Sequence, residues 1–166
     1  MTEAAADIGH LQRTPDGVQA LLSRHLAHPP AAVWRMLVEP QAMAQWLAPG
    51  QIELVAGGAV RIDFADSGTV IDSRVSAIEP GRLLEYSWSS GAEPARPLRW
   101  ELTPTAGGCT LTLGVGTPAG EDAAKACAGF EGHLDMLAAA LEGVPIKFPF
   151  ERFMAARRAY QQQLAG

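Results

Sequence analysis

The 166-residue chain has two cysteines, no long apolar run and fewer positive than negative charges. Each scarcity removes a class of explanation. Cys109 and Cys127 form neither a CxxC pair nor a zinc spacing, so no redox motif and no structural metal site is expected. In a reducing compartment they read as free, buried thiols rather than as a disulfide. No apolar run reaches the roughly 20 residues of a bilayer-crossing helix, so no membrane partner is expected. The opening "MTEAAADIGH" is acidic and lacks the charged-then-apolar order of a secretory leader, which places the chain in the cytoplasm. Lys and Arg total 13 against 18 Asp and Glu, a net charge of −5. A nucleic-acid partner is excluded on that balance, because phosphate binding needs a basic surface that releases counterions.

Catalytic signatures are missing too. There is no Gly-x-Ser-x-Gly, and the glycine pairs lack the Lys-Ser or Lys-Thr of a phosphate loop. His10, His25, His28 and His133 do not fall into ligand spacings with acidic residues. Glu121-Asp122 reads as the negative start of a helix, favoured by the helix dipole. No metal, no cofactor and no catalytic residue is therefore assigned.

What remains is a globular composition, 48% hydrophobic and 19% charged, with enough length for one real core. "HLQRTPDGVQALLSRHL" reads as two strands around the turn Pro15-Asp16-Gly17. Prolines then open a short helix, "PPAAVWRMLVEP", with Val33, Trp34 and Leu37 on one face and Pro40 ending it. "QAMAQWLAPG" forms a second. A series of strands follows. "QIELVA" precedes the turn glycines Gly57-Gly58. "AVRIDF" sets Val60, Ile62 and Phe64 on one face. "GTVIDSRVSAIEPG" is longer and alternates poorly, which suggests a bulge. Leu84, Tyr86 and Trp88 share a face, as do Leu98, Trp100 and Leu102, and then Cys109, Leu111, Leu113 and Val115. Such alternation means a sheet with one wet and one buried face. The long apolar helix from about Gly120 to Glu142, with Phe130, Leu134, Leu137 and Leu141 in one stripe, is the element available to cover it. After Gly143-Val144-Pro145, the tail "FPFERFMAARRAYQQQL" forms a last helix with Phe150, Phe153, Tyr160 and Leu164 on one face. It packs on the body or on a partner, and its aromatic surface leaves room for a homodimer.

The stretches "HPPAAVWRMLVEPQAMAQWL" (28–47), "GG-VRIDF" (57–64), "GTVIDSRVSAIEPGRLLEYSW" (68–88), "LRWELTPTAGGCTLTL" (98–113) and "AGFEGHLDMLAAALEG" (128–143) resemble, in order, the SRPBCC or START-like superfamily. Within it the chain is similar to the bacterial branch related to the C-terminal domain of the activator of heat-shock protein 90 ATPase. The likeness runs over residues 8–164. It implies an α+β helix-grip fold: a curved antiparallel β-sheet wrapped around a long C-terminal α-helix, with two short helices after the first strand. It implies one START-like domain over 1–166, with a core at 8–143 and a helical extension at 144–166. Two positions depart from the family's usual pattern. Gly129-Phe130 stands for Gly-Trp, and Gly114 stands where a His often follows the last strand.

In this family the space between sheet and helix commonly receives an apolar or aromatic small molecule. The wall candidates here are Trp46, Ile62, Phe64, Tyr86, Trp88, Trp100, Leu113, Phe130, His133, Leu134 and Leu137. His133 lies about 60° from Phe130 around the helix. It either orients a ligand or is a structural histidine bonded to the sheet. One of Arg24 and His25 must face inward; an inward Arg24 meets either a ligand carboxylate or an acidic partner on a neighbouring strand. Three functional readings compete. The first is a small-molecule binding protein. The second is a cyclase- or hydrolase-like enzyme acting on a polyketide-like or aromatic substrate in the same cavity. The third is a chaperone-cofactor-type interaction module.

Overall fold

The computed structural model describes residues 8–64 and 67–165. Most of the N-terminal stretch read above for a leader pattern lies outside them. The elements, in chain order, are β1 (His10–Thr14), β2 (Gly17–Leu26), α1 (Pro30–Val38), α2 (Pro40–Trp46), β3 (Gly50–Ile52), β4 (Ala59–Phe64), β5 (Thr69–Glu79), β6 (Leu83–Ser87), β7 (Pro97–Thr105), β8 (Gly108–Pro118), α3 (Ala123–Leu141) and α4 (Phe150–Ala165). The strands form one eight-stranded sheet in the order β1-β2-β8-β7-β6-β5-β4-β3, and every neighbouring pair is antiparallel. The α+β helix-grip architecture is the one expected.

Period-two patterning explains the buried face. Leu84 and Tyr86 on β6, Leu98, Trp100 and Leu102 on β7, and Cys109, Leu111, Leu113 and Val115 on β8 are all buried. The register places Leu113 between Leu22 and Trp100. The irregular pattern of β5 is indeed a register shift, between Val75 and Ala77. Both cysteines are buried and free.

Five details differ from the expectation. The two short helices follow the second strand, because the opening segment is a complete hairpin. "QIELVA" contributes only its start to β3; past Ile52 the chain turns, with Gly58 N–H bonded to the Val55 carbonyl. The long helix begins at Ala123 rather than Gly120. Gly120 has φ +89°, which an α-helix cannot contain, and Asp122 caps the helix by accepting from Lys125 N–H at 3.0 Å. Its 19 residues span about 28 Å at 1.5 Å each. Phe150 is not on the packed face of α4. It is 64% exposed, since ten residues of helix turn it about 80° away from Tyr160; its ring stacks on Phe153 instead. Finally, β2 turns Arg24 inward with Ala20, Leu22 and Leu26 and leaves His25 exposed. The partners of Arg24 are on α3, not on a neighbouring strand.

The core lies between the concave sheet and α3. Ala124 and Ala128 are small buried residues of that helix, while Phe130, Leu134 and Leu137 fill the gap. Helices α1 and α2 extend the cover with Val33, Leu37, Met43 and Trp46, all buried. Trp46 Nε1 donates to the Met36 carbonyl at 2.7 Å, and its ring meets Trp100 edge-on at 5.7 Å.

Candidate functional site

Where α3 rises away from the β4–β5 hairpin, the packing opens into a cleft of about 900 Å³. Its walls come from the end of β4 and the start of β5, from the β6–β7 connection, and from the first half of α3, with Phe153 of α4 at one side. Aromatic rings make the floor. Trp88 touches Phe130 at 5.3 Å and Phe64 at 5.8 Å between centroids, both edge-on. Phe130 in turn contacts Trp100 in the core at 6.5 Å. His133 lies between Phe64 at 6.2 Å and Phe148 at 5.3 Å.

The state of His133 follows from its partner. Nδ1 is 2.8 Å from the Trp46 carbonyl oxygen at the end of α2. A carbonyl only accepts, so Nδ1 carries the proton. Burial lowers the imidazole pKa below 6.5, against the opposing pull of the Trp46 carbonyl. At neutral pH the ring is the neutral Nδ1–H tautomer, and Nε2 offers a lone pair. The bonding partner is thus a helix end, not the sheet.

The rim is charged, and its carboxylates are paired. Arg96 grips Glu121 with both arms, Nε to Oε1 at 2.8 Å and Nη2 to Oε2 at 2.9 Å. Its Nη1 reaches the Trp88 carbonyl at 3.2 Å and Glu93 at 3.3 Å. The Arg96 bonds hold the Glu121 carboxyl below its ordinary range. The Lys125 N–H, and then Arg157 at 3.0 Å, do the same for Asp122. These exposed pairs shape the mouth but add little stability.

A second polar cluster lies on the other side of α3. Glu131 is fully buried. It accepts from the Tyr160 hydroxyl, from Gly9 N–H at 2.9 Å and from Arg24 at 2.7 Å, with Arg152 at 3.5 Å. Asp135 completes the cluster, 3.2 Å from Arg24 and 3.3 Å from Arg152. Burial and the Glu131 charge push the Tyr160 phenol strongly upward. Burial opposes the charge on Arg24, but Glu131 and Asp135 outweigh it and raise its pKa. Arg24 is therefore committed to α3.

Of the eleven wall candidates, Phe64, Trp88, Phe130 and His133 line the cleft. Trp46, Ile62, Tyr86, Trp100, Leu113, Leu134 and Leu137 are in the closed core, none more than 2% exposed. Ile62, Tyr86, Trp100 and Leu113 are on the concave face of the sheet, and Trp46, Leu134 and Leu137 belong to the helices seated on it. Arg96, Glu121 and Phe153 were not among the candidates. Arg96 lies in a loop without periodicity, Glu121 reads as a helix start, and Phe153 as packing.

Residues 27–142 match the family model described as Activator of Hsp90 ATPase homolog 1-like protein. The chain belongs to this family. Its solved relatives include CalU16 from Micromonospora echinospora, 19% identical with a TM-score of 0.78 over 95% of this chain and 96% of that one. EF2215 from Enterococcus faecalis, a conserved protein of unknown function, is 18% identical with a TM-score of 0.78 over 99% and 94%. At these identities the likeness is one of fold. DynU16, from the dynemicin biosynthetic locus, is 30% identical with a TM-score of 0.70, over 76% of this chain but 48% of DynU16. No curated protein matches the chain significantly. The family model spans α1 to the end of α3, so it includes nearly every cleft residue; Phe153 on α4 lies beyond it. No described helix is long and apolar enough to cross a membrane.

Proposed function

We propose that the chain is a small-molecule binding protein whose cleft takes an apolar, aromatic guest, as a single START-like domain working in the bacterial cytoplasm. The observation that supports this reading is a solvent-open cleft of about 900 Å³ floored by Phe64, Trp88 and Phe130. That size lies within the roughly 300–1,000 Å³ of ordinary ligand sites. Leaving large rings on an open wall forgoes burial that the core exploits elsewhere. DynU16, by its name, belongs to a biosynthetic locus, which suits a carrier or modifier of small molecules. For an enzyme, a second acid or base facing His133 would be needed; the carboxylates nearby, Glu93 and Glu121, are held by Arg96 at the rim.

Gly129 supplies a clean test. It lines the cleft, and a Cβ added there meets nothing within 4 Å. Gly129→Leu should fill the cleft while gaining up to about 1 kcal/mol of helix propensity. Titration with an apolar dye, read by the dye's own fluorescence, should show binding to the native protein and at least tenfold weaker binding to the variant. Native mass spectrometry of freshly purified protein should show a co-purified mass, and it reports the oligomeric state as well. Equal dye binding by both proteins would refute this location. A protein that is empty and ignores the dyes would favour the interaction module.

A further inference from the structure

We infer that the guest is a neutral aromatic molecule bearing a hydroxyl group, and that His133 Nε2 accepts the hydroxyl proton in a hydrogen bond. This rests on the reading of the cleft as a ligand site. With Nδ1–H donating to Trp46 O, the neutral ring presents only the Nε2 lone pair as its second polar group. Phe64 at the end of β4 and Phe148 in the α3–α4 connection, packed against the ring, hold its orientation. Nε2, at the distal edge, has no hydrogen-bond partner among the described residues.

A guest that buries Nε2 must supply a donor, because a partly desolvated acceptor left unmatched is costly. An ether or carbonyl oxygen would set lone pair against lone pair. An ammonium could donate, but its charge would be stripped of water against Phe64, Trp88 and Phe130, far from a free carboxylate: Glu121 and Glu93 are engaged by Arg96, and Asp122 by Lys125 N–H and Arg157. A carboxylate would meet the Nε2 lone pair and find the Arg96 fork already filled by Glu121, with the Lys125 ammonium as the remaining cation among the described lining residues. A neutral donor on a planar ring satisfies both demands, and a phenolic O–H, more acidic than an indole or aniline N–H and bonding at shorter range, serves Nε2 best while giving the floor a π-face.

The test uses 2-naphthol, 2-methoxynaphthalene and 2-methylnaphthalene in calorimetric titrations of the full chain at pH 7.5. The native protein should bind 2-naphthol about 10-fold more tightly than the other two, the equivalent of one hydrogen bond. In His133→Phe the three affinities should become equal. A readout independent of any variant is the Nε2 ¹⁵N resonance of the native protein, which should move with 2-naphthol and stay fixed with 2-methylnaphthalene. If all three compounds bind the native protein equally and Nε2 does not respond, the hydroxyl assignment is overturned while the cleft reading stands. If none of the three binds, the cleft reading falls and takes this inference with it.

Discussion

Glu131→Gln is the substitution with the largest expected effect on the fold. The carboxylate is fully buried and joins three elements and the segment before β1: Gly9, Arg24 on β2, its own helix α3, and Tyr160 and Arg152 on α4. Glutamine keeps the shape, but its NH₂ group must replace one acceptor oxygen facing hydrogen-bond donors. Arg24 and Arg152 then lose the Glu131 charge and keep Asp135 as a shared carboxylate. Removing one partner of a buried ion pair costs about 3–5 kcal/mol. Both guanidinium groups keep some contact with water and Asp135 remains, so the lower end, about 3 kcal/mol, applies. At roughly 2–4 °C per kcal/mol for a chain of this length, Tm should fall by about 6–12 °C. Thermal and urea unfolding followed by circular dichroism would measure it. The paired control is Glu121→Gln at the exposed Arg96 bridge, where the loss should stay under about 1 kcal/mol. Hydrogen exchange should place the damage, with amides of β1 and α4 losing protection before those of β7 and β8. A Tm within about 2 °C of the native protein would refute the reasoning. It would mean that desolvation of these charges cancels their attraction.

Two further outcomes follow from the geometry. Burial holds the His133 imidazole below 6.5, so between that value and the lower folded-state pKa the unfolded chain binds more protons than the folded one. Stability should therefore be level above pH 7 and decline as pH falls below about 6.5; urea titrations should show this slope in the native protein and a shallower one in His133→Phe. Gly132→Ala would place a Cβ 2.6 Å from Phe148 Cε1, so Phe148 must leave its seat against His133 and Phe153. The expected cost is about 1–3 kcal/mol in urea unfolding, as for other overpacked sites, and an unchanged midpoint would contradict this tight contact.

Alternation made the strands legible, since one buried face writes itself into every second residue of β6, β7 and β8. It even marked the bulge in β5. It carries no information about depth, however. Trp100 and Trp88 read alike in sequence, yet one lies beneath α3 and the other stands beside the opening, because Trp88 falls just past the end of β6. The same limit separates Ile62 from Phe64, two residues apart on β4. Glu131 was overlooked for a different reason. A single acid in an apolar helix looks like a residue facing water. The signal was its spacing, four after Cys127 and three before Leu134, which puts it on the buried stripe. An inward Arg24 was the matching half, and the two meet only through the sheet's long-range pairing.

That pairing also governs how the chain can be made. β2 must wait for β8 before its inner edge is satisfied, and Gly9 binds Tyr160 across 151 residues. A nascent chain emerging from the ribosome therefore exposes the β2 edge until β8 has emerged as well. The decisive step of folding should wait for β8 and α4, and be slow for a domain of this size. Truncations that remove the last helix are then expected to yield aggregates rather than a smaller working protein.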